Sequence, residues 1–150
     1  LLVPFVNAAF WMIPIHVLQK DDGFCTLFYH YGEDKDFVNR LHYHQYQVGY
    51  SPQVFGNHDR EYRPLTHEGF LRTESVYHRS EYVNINHPWL KAFGYGVLAV
   101  MKKALTSLIS GKFQLSKDYL RMGFQLLSRS TEIQSYRKIN RLSQPHYIQK

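Results

Sequence analysis

The stretch from Trp89 to Lys112, WLKAFGYGVLAVMKKALTSLISGK, constrains this chain more than any other. Its first half is too apolar for an ordinary surface helix, and its second half is too basic for the middle of a bilayer. Between Lys91 and Lys102 lie ten uncharged residues, about 15 Å of helix and roughly half of what a membrane span requires. Lys102 and Lys103 therefore argue against a span here. From Val97 onward the spacing is amphipathic, with Val97, Leu98, Met101, Ala104, Leu105, Leu108 and Ile109 assigned to one face. Lys102, Lys103, Thr106 and Ser110 fall on the other.

Asn86, His87 and Pro88 provide a helix start, with a cap before Pro at the first helical position. Gly111 is a helix stop, and Phe113 to Arg129 forms a second amphipathic run. Leu115, Tyr119, Met122, Gly123 and Leu126 make its apolar stripe. Residues 88–130 are thus expected to form an antiparallel helical hairpin. The segment 131–150 opens with a T-x-x-Q pattern at Thr131 and ends polar and basic. It reads as a frayed helix followed by a basic tail.

Residues 1–18, LLVPFVNAAFWMIPIHVL, carry no charge, and as one helix they would rise about 27 Å, close to the hydrocarbon thickness of a bilayer. Pro14 would remove a backbone hydrogen bond, and Asn7 and His16 cost energy in lipid. The two readings are a transmembrane helix and a hydrophobic arm buried against another protein. Position 1 is Leu rather than Met, so the chain is expected to be a processed form or an incomplete one.

Residues 19–87 are rich in His and aromatic residues and poor in aliphatic ones. They are expected to be irregular, with Phe24 to Tyr31 as a short strand, and to need a partner surface. The expected architecture is mainly α and extended rather than compact: arm, irregular middle, hairpin and tail. Charge is as uneven as hydropathy. Leu1 to His87 holds seven Lys/Arg against ten Asp/Glu, a net of −3, while Pro88 to Lys150 holds eleven against two, a net of +9. A basic half of this kind attracts phosphate-bearing partners, either anionic phospholipid or RNA.

No segment carries a strong catalytic pattern. GNHDREY, Gly56 to Tyr62, resembles the Gly-Asn-His-Asp/Glu motif of calcineurin-like metallophosphoesterases. In that family the Asn is a metal ligand and the His helps bind phosphate. The family's upstream Asp-x-His, its Gly-Asp block and its terminal Gly-His-x-His are missing, and the chain is short for that two-sheet fold, so the preferred reading is a turn. His42 and His44, with Cys25, His30 or His58, have donor types that transition metals accept. The preferred reading for them is interface histidines. Cys25 is the single cysteine, which excludes an internal disulfide framework and any CxxC motif, and no local signature marks it as a nucleophile. Glu33, Asp34 and Asp36, interrupted by Lys35, read as a solvated loop.

Trp89, Lys91, Lys102, Lys103 and Lys112 are the candidate lipid-headgroup or interface contacts, because a helix lying at a lipid interface combines aromatic ends, a basic side and an aliphatic face. In overall style the chain resembles the small accessory subunits of mitochondrial respiratory complexes and ATP synthase. That resemblance implies a non-catalytic, cofactor-free structural subunit of a mitochondrial inner-membrane energy-transducing complex, with other subunits as partners. The alternative is a mitochondrial ribosomal protein whose basic C-terminal half binds rRNA.

Overall fold

A computed structural model of the chain describes residues 1–21, 23–57, 64 and 66–142. It is mainly α-helical. The helices among the described residues are α1 (Ile15–Asp21), α2 (Glu33–Tyr43), α3 (His67–Val83), α4 (Trp89–Ile109), α5 (Phe113–Ser128) and α6 (Ser130–Asn140). The described residues contain no strand, only an isolated antiparallel bridge between Leu2 and Gly49. The chain divides into two compact units, Leu1–Pro64 with Ile139–Lys150, and Leu65–Lys138.

In the first unit, Val17 of α1 and Phe37 and Leu41 of α2 form the core, against which Trp11, Ile13, Leu18, Tyr46 and Val48 pack. Trp11, Phe24 and Phe37 make a ring cluster with all three centroid separations at 5.8 Å. The buried Arg40 ties this core together. Its Nε donates to Asp36 at 3.1 Å, and its terminal nitrogens donate to the carbonyls of Asp21 and Gly23. Every charged atom is thus met by an acceptor, the condition under which a buried guanidinium is tolerated.

Three expectations for this region are corrected. Residues 1–18 are not one helix, because only Ile15–Asp21 is helical. Pro14 can sit at a helix start but not inside one, and its carbonyl accepts from Val17 N at 2.9 Å. Phe24 to Tyr31 forms turns and bends rather than a strand, and Tyr31 and Gly32 both take positive φ, at 66° and 93°. The acidic cluster Glu33, Asp34 and Asp36 is the first turn of α2, where carboxylates face the positive end of the helix dipole.

The second unit is built on α3, a helix that lies within the segment expected to be irregular. Thr66 caps it, its side chain accepting from Gly69 N at 3.0 Å. Tyr82 on α3 is fully buried beneath Trp89 and Phe93 of α4, with centroids at 5.2 and 6.0 Å. α4 starts after Pro88, which sits at the cap position itself, one residue earlier than expected. It contains one π-helical turn, Gly94–Leu98. Gly96 lies in that turn because a Cβ there would come within 2.4 Å of Tyr82 Cβ and 3.1 Å of its Cα.

Gly111, with φ +72°, reverses the chain after α4. α4 and α5 then pack along one another. Ser116 Oγ donates to Ala104 O at 2.8 Å, a close approach allowed by small residues on both sides. α5 buries Ser116, Tyr119, Met122, Gly123 and Leu126; the last four belong to the stripe that the spacing picks out, while Leu115 is only half-buried and Ser116 takes its place. The helix expected from Thr131 is α6, with Ile133, Tyr136 and Arg137 buried. Arg137 lies over the Trp89 ring at 5.8 Å and donates to the carbonyls of Tyr82, Asn84 and His87. α6 therefore locks the α3–α4 corner.

Candidate functional site

Two places in the second unit collect chemistry-bearing side chains. The first is a polar cluster between α3, α4 and α5. Glu74 Oε2 accepts from Lys103 Nζ at 2.5 Å and from the Tyr119 hydroxyl at 2.9 Å. His78, 1 % exposed, donates from Nδ1 to Tyr95 O at 2.8 Å, leaving Nε2 3.9 Å from Glu74 Oε2. A carbonyl can only accept, so the proton sits on Nδ1 in the neutral ring.

Burial holds His78 below the usual imidazole range, against the opposing pull of the Tyr95 carbonyl. Burial would raise Glu74, but the hydrogen bonds from Lys103 and Tyr119 and the Lys103 charge outweigh it, so its carboxyl lies below the usual range. Burial, with Glu74 beside it, pushes the Tyr119 hydroxyl up to about 12. The cluster is an ion pair with two neutral supports. Its geometry is that of a joint between helices.

The second place is the outer face of α4 and α5. The inward face of α4 is Val97, Val100, Ala104 and Ser107, rotated about a quarter turn from the face expected from the spacing. Lys103 turns inward to Glu74, and the small Ala104 and Ser107 admit the neighbouring helices. Leu98, Leu105, Leu108 and Ile109, which the spacing groups on one face, are exposed. On α5, Phe113, Leu120, Phe124 and Leu127 are exposed as well. At 100° per residue, Leu98, Lys102, Leu105 and Ile109 form one stripe on α4, and Phe113, Lys117, Leu120, Phe124 and Leu127 form one on α5.

Of the sequence-expected contacts, Lys102 and Lys112 are exposed and lie beside this face. Lys103 is engaged with Glu74 and with the Tyr119 ring at 5.8 Å. Trp89 is packed against Tyr82 and Phe93, and Lys91 sits over the Tyr95 ring at 5.7 Å. The five do not converge on one surface. The α5 stripe was missed because Phe113, Leu120 and Phe124 look like ordinary helix residues until a neighbour defines which face is inside.

α4 is 21 residues long with mean hydropathy 1.3 in its most apolar window, so it is long and apolar enough to cross a membrane. The core helix of a folded unit meets the same length and hydropathy test, and a third of this window is buried within the protein.

In the first unit, Cys25 is buried and its sulfur accepts from Leu27 N at 3.3 Å. His44 Nε2 lies 2.8 Å from Asn140 O and 3.2 Å from Asp21 Oδ1, while His42 is exposed. Among the described residues no group of three or more His, Cys, Asp or Glu could hold a metal. A cavity lined by Leu2, Val3, Pro4, His42, Tyr46, Gln47 and Val48 is open to the surface. His58 to Tyr62 of the GNHDREY stretch lie outside the described residues. No protein-family model, no curated protein and no solved structure matches this chain.

Proposed function

We propose that this chain is a non-catalytic accessory subunit of a large membrane-bound assembly, in particular of a mitochondrial inner-membrane energy-transducing complex of the respiratory-chain or ATP-synthase kind. In this reading an extended N-terminal arm and the helical hairpin of residues 88–130 clasp neighbouring subunits. One observation carries it: residues 1–18 have no charge and leave Leu1, Leu2, Phe10, Met12 and Ile15 largely exposed, Met12 at 99 %. A run of large apolar side chains open to water is the usual mark of a surface covered in an assembly. The resemblance in composition to mitochondrial accessory subunits supports the choice of assembly.

The test is native electrophoresis of digitonin-solubilised membranes with mass spectrometry of each band containing the chain, beside an RNase-treated sample. Co-migration with proton-pumping or ATP-synthase subunits, unchanged by RNase, is the expected result. Recovery of the chain free in the soluble fraction would overturn the proposal. So would co-migration with ribosomal proteins that RNase abolishes, which would assign the basic half to rRNA.

A further inference from the structure

We propose that the outer face of α4 and α5 binds the surface of an anionic phospholipid bilayer. The inference concerns the second unit alone and does not depend on the accessory-subunit reading, because it requires no partner protein.

The position of α3 establishes that the two stripes share one face. α3 meets α4 through Glu74 and Lys103, and through Tyr82 and Gly96. It meets α5 through His67 and Asp118, at 3.1 Å, and through Glu74 and Tyr119. Relative to these contacts, the stripe of Leu98, Leu105 and Ile109 and the stripe of Phe113, Leu120 and Phe124 both lie on the side of the helix pair turned away from α3. The six side chains range from 39 % exposed at Leu120 to 78 % at Ile109. They form an apolar surface two helices wide.

Charge selects the occupant. Lys102, Lys112, Lys117 and Arg121 are exposed within or beside this surface, and none is in an ion pair among the described residues. Asp118, the one acid on α4 or α5, is turned toward α3, where it meets His67, and it also accepts from Gln114 on its own helix. The surface is therefore apolar in its middle, cationic in its fringe and free of carboxylates. A bilayer with anionic headgroups satisfies both parts at once, taking the Leu and Phe side chains at the acyl boundary and the ammonium and guanidinium groups among the phosphates. RNA would satisfy the charges but leave Phe113, Phe124 and Ile109 in water.

Flotation of the full chain with vesicles tests this directly. Phosphatidylcholine vesicles containing phosphatidylserine are compared with phosphatidylcholine alone, at low and high salt. The expected result is binding to the anionic vesicles that weakens with salt. Replacing both Phe113→Ser and Phe124→Ser should lower the partition at least about tenfold. The pair Lys117→Gln and Arg121→Gln, which leaves the apolar surface intact, should lower it roughly tenfold on anionic vesicles only. All four positions are exposed, and unchanged circular dichroism and thermal midpoints would show that the variants fold.

Failure of the wild-type chain to float with anionic vesicles would overturn the proposal, as would equal binding by folded Phe variants. A dimer in sedimentation velocity that the Phe variants convert to monomer, without vesicle binding, would assign the face to a second copy and also overturn it. Loss of vesicle binding would leave co-migration with a membrane complex unaffected, so the two proposals fail separately.

Discussion

Glu74 shows how much one residue can join. It accepts from Lys103 on α4 and Tyr119 on α5 while standing on α3, so three helices meet at one carboxylate. Glu74→Ala would strip the acceptor from both donors, and an expected loss of about 2–3 kcal/mol in unfolding free energy follows, read from urea denaturation. His78 adds a pH dependence of definite sign. Its folded pKa lies below its ordinary value of 6.5, so in acid the unfolded chain takes up the proton first, and stability rises with pH across that window. The thermal midpoint should therefore fall as pH is lowered from about 7.5 through 6.5 and below, and His78→Gln should flatten this part of the profile. Glu74, with its pKa below 4.5, loses its contribution only in stronger acid, as pH falls through its folded value.

At the scale of elements, α4 contains the most instructive contrast. Gly94 and Gly96 both lie in its π turn, yet only one is required there. A Cβ at Gly94 would meet nothing within 4 Å, whereas one at Gly96 would strike the Tyr82 side chain and backbone. Gly94→Ala should therefore stabilise the fold by about 0.5–1 kcal/mol by reducing the freedom of the unfolded chain. Gly96→Ala should destabilise it by about 1–3 kcal/mol, because Tyr82 is buried and its backbone is held by α3. Thermal unfolding of the two variants side by side distinguishes a glycine tolerated in a helix from one the packing demands.

At the scale of the whole molecule, the proposed assembly role falls to the exposed N-terminal residues and not to Trp11, Ile13, Val17 and Leu18, which pack in the first unit's core. Met12 and Ile15 are exposed, so the double substitution Met12→Ser and Ile15→Ser should shift the stability of the chain by no more than about 0.5 kcal/mol. The same variant should lose its place in a high-mass band on native electrophoresis. A fall in stability with assembly intact would show the opposite division of labour, with the arm serving the first unit's own core.

The sequence alone determined the helical character of the second half, the stop at Gly111 and most of the inward stripe of α5. These follow from local periodicity and from one residue's freedom to take φ +72°. It did not reveal α3, whose apolar side chains are outnumbered by polar ones that become acceptable only when Thr66 caps it and Glu74 and His78 find partners on other helices. It grouped the apolar side chains of α4 on one face without deciding which face turns inward. Leu98, Leu105 and Ile109 outrank Ala104 and Ser107 in hydropathy, but close packing against α3 and α5 selects the small residues and an inward lysine. Periodicity reports which residues share a side of a helix. Which side is buried depends on the shape and charge of neighbours distant in the chain, and here that tertiary choice placed the apolar side chains on the outside, where the proposed lipid surface would meet them.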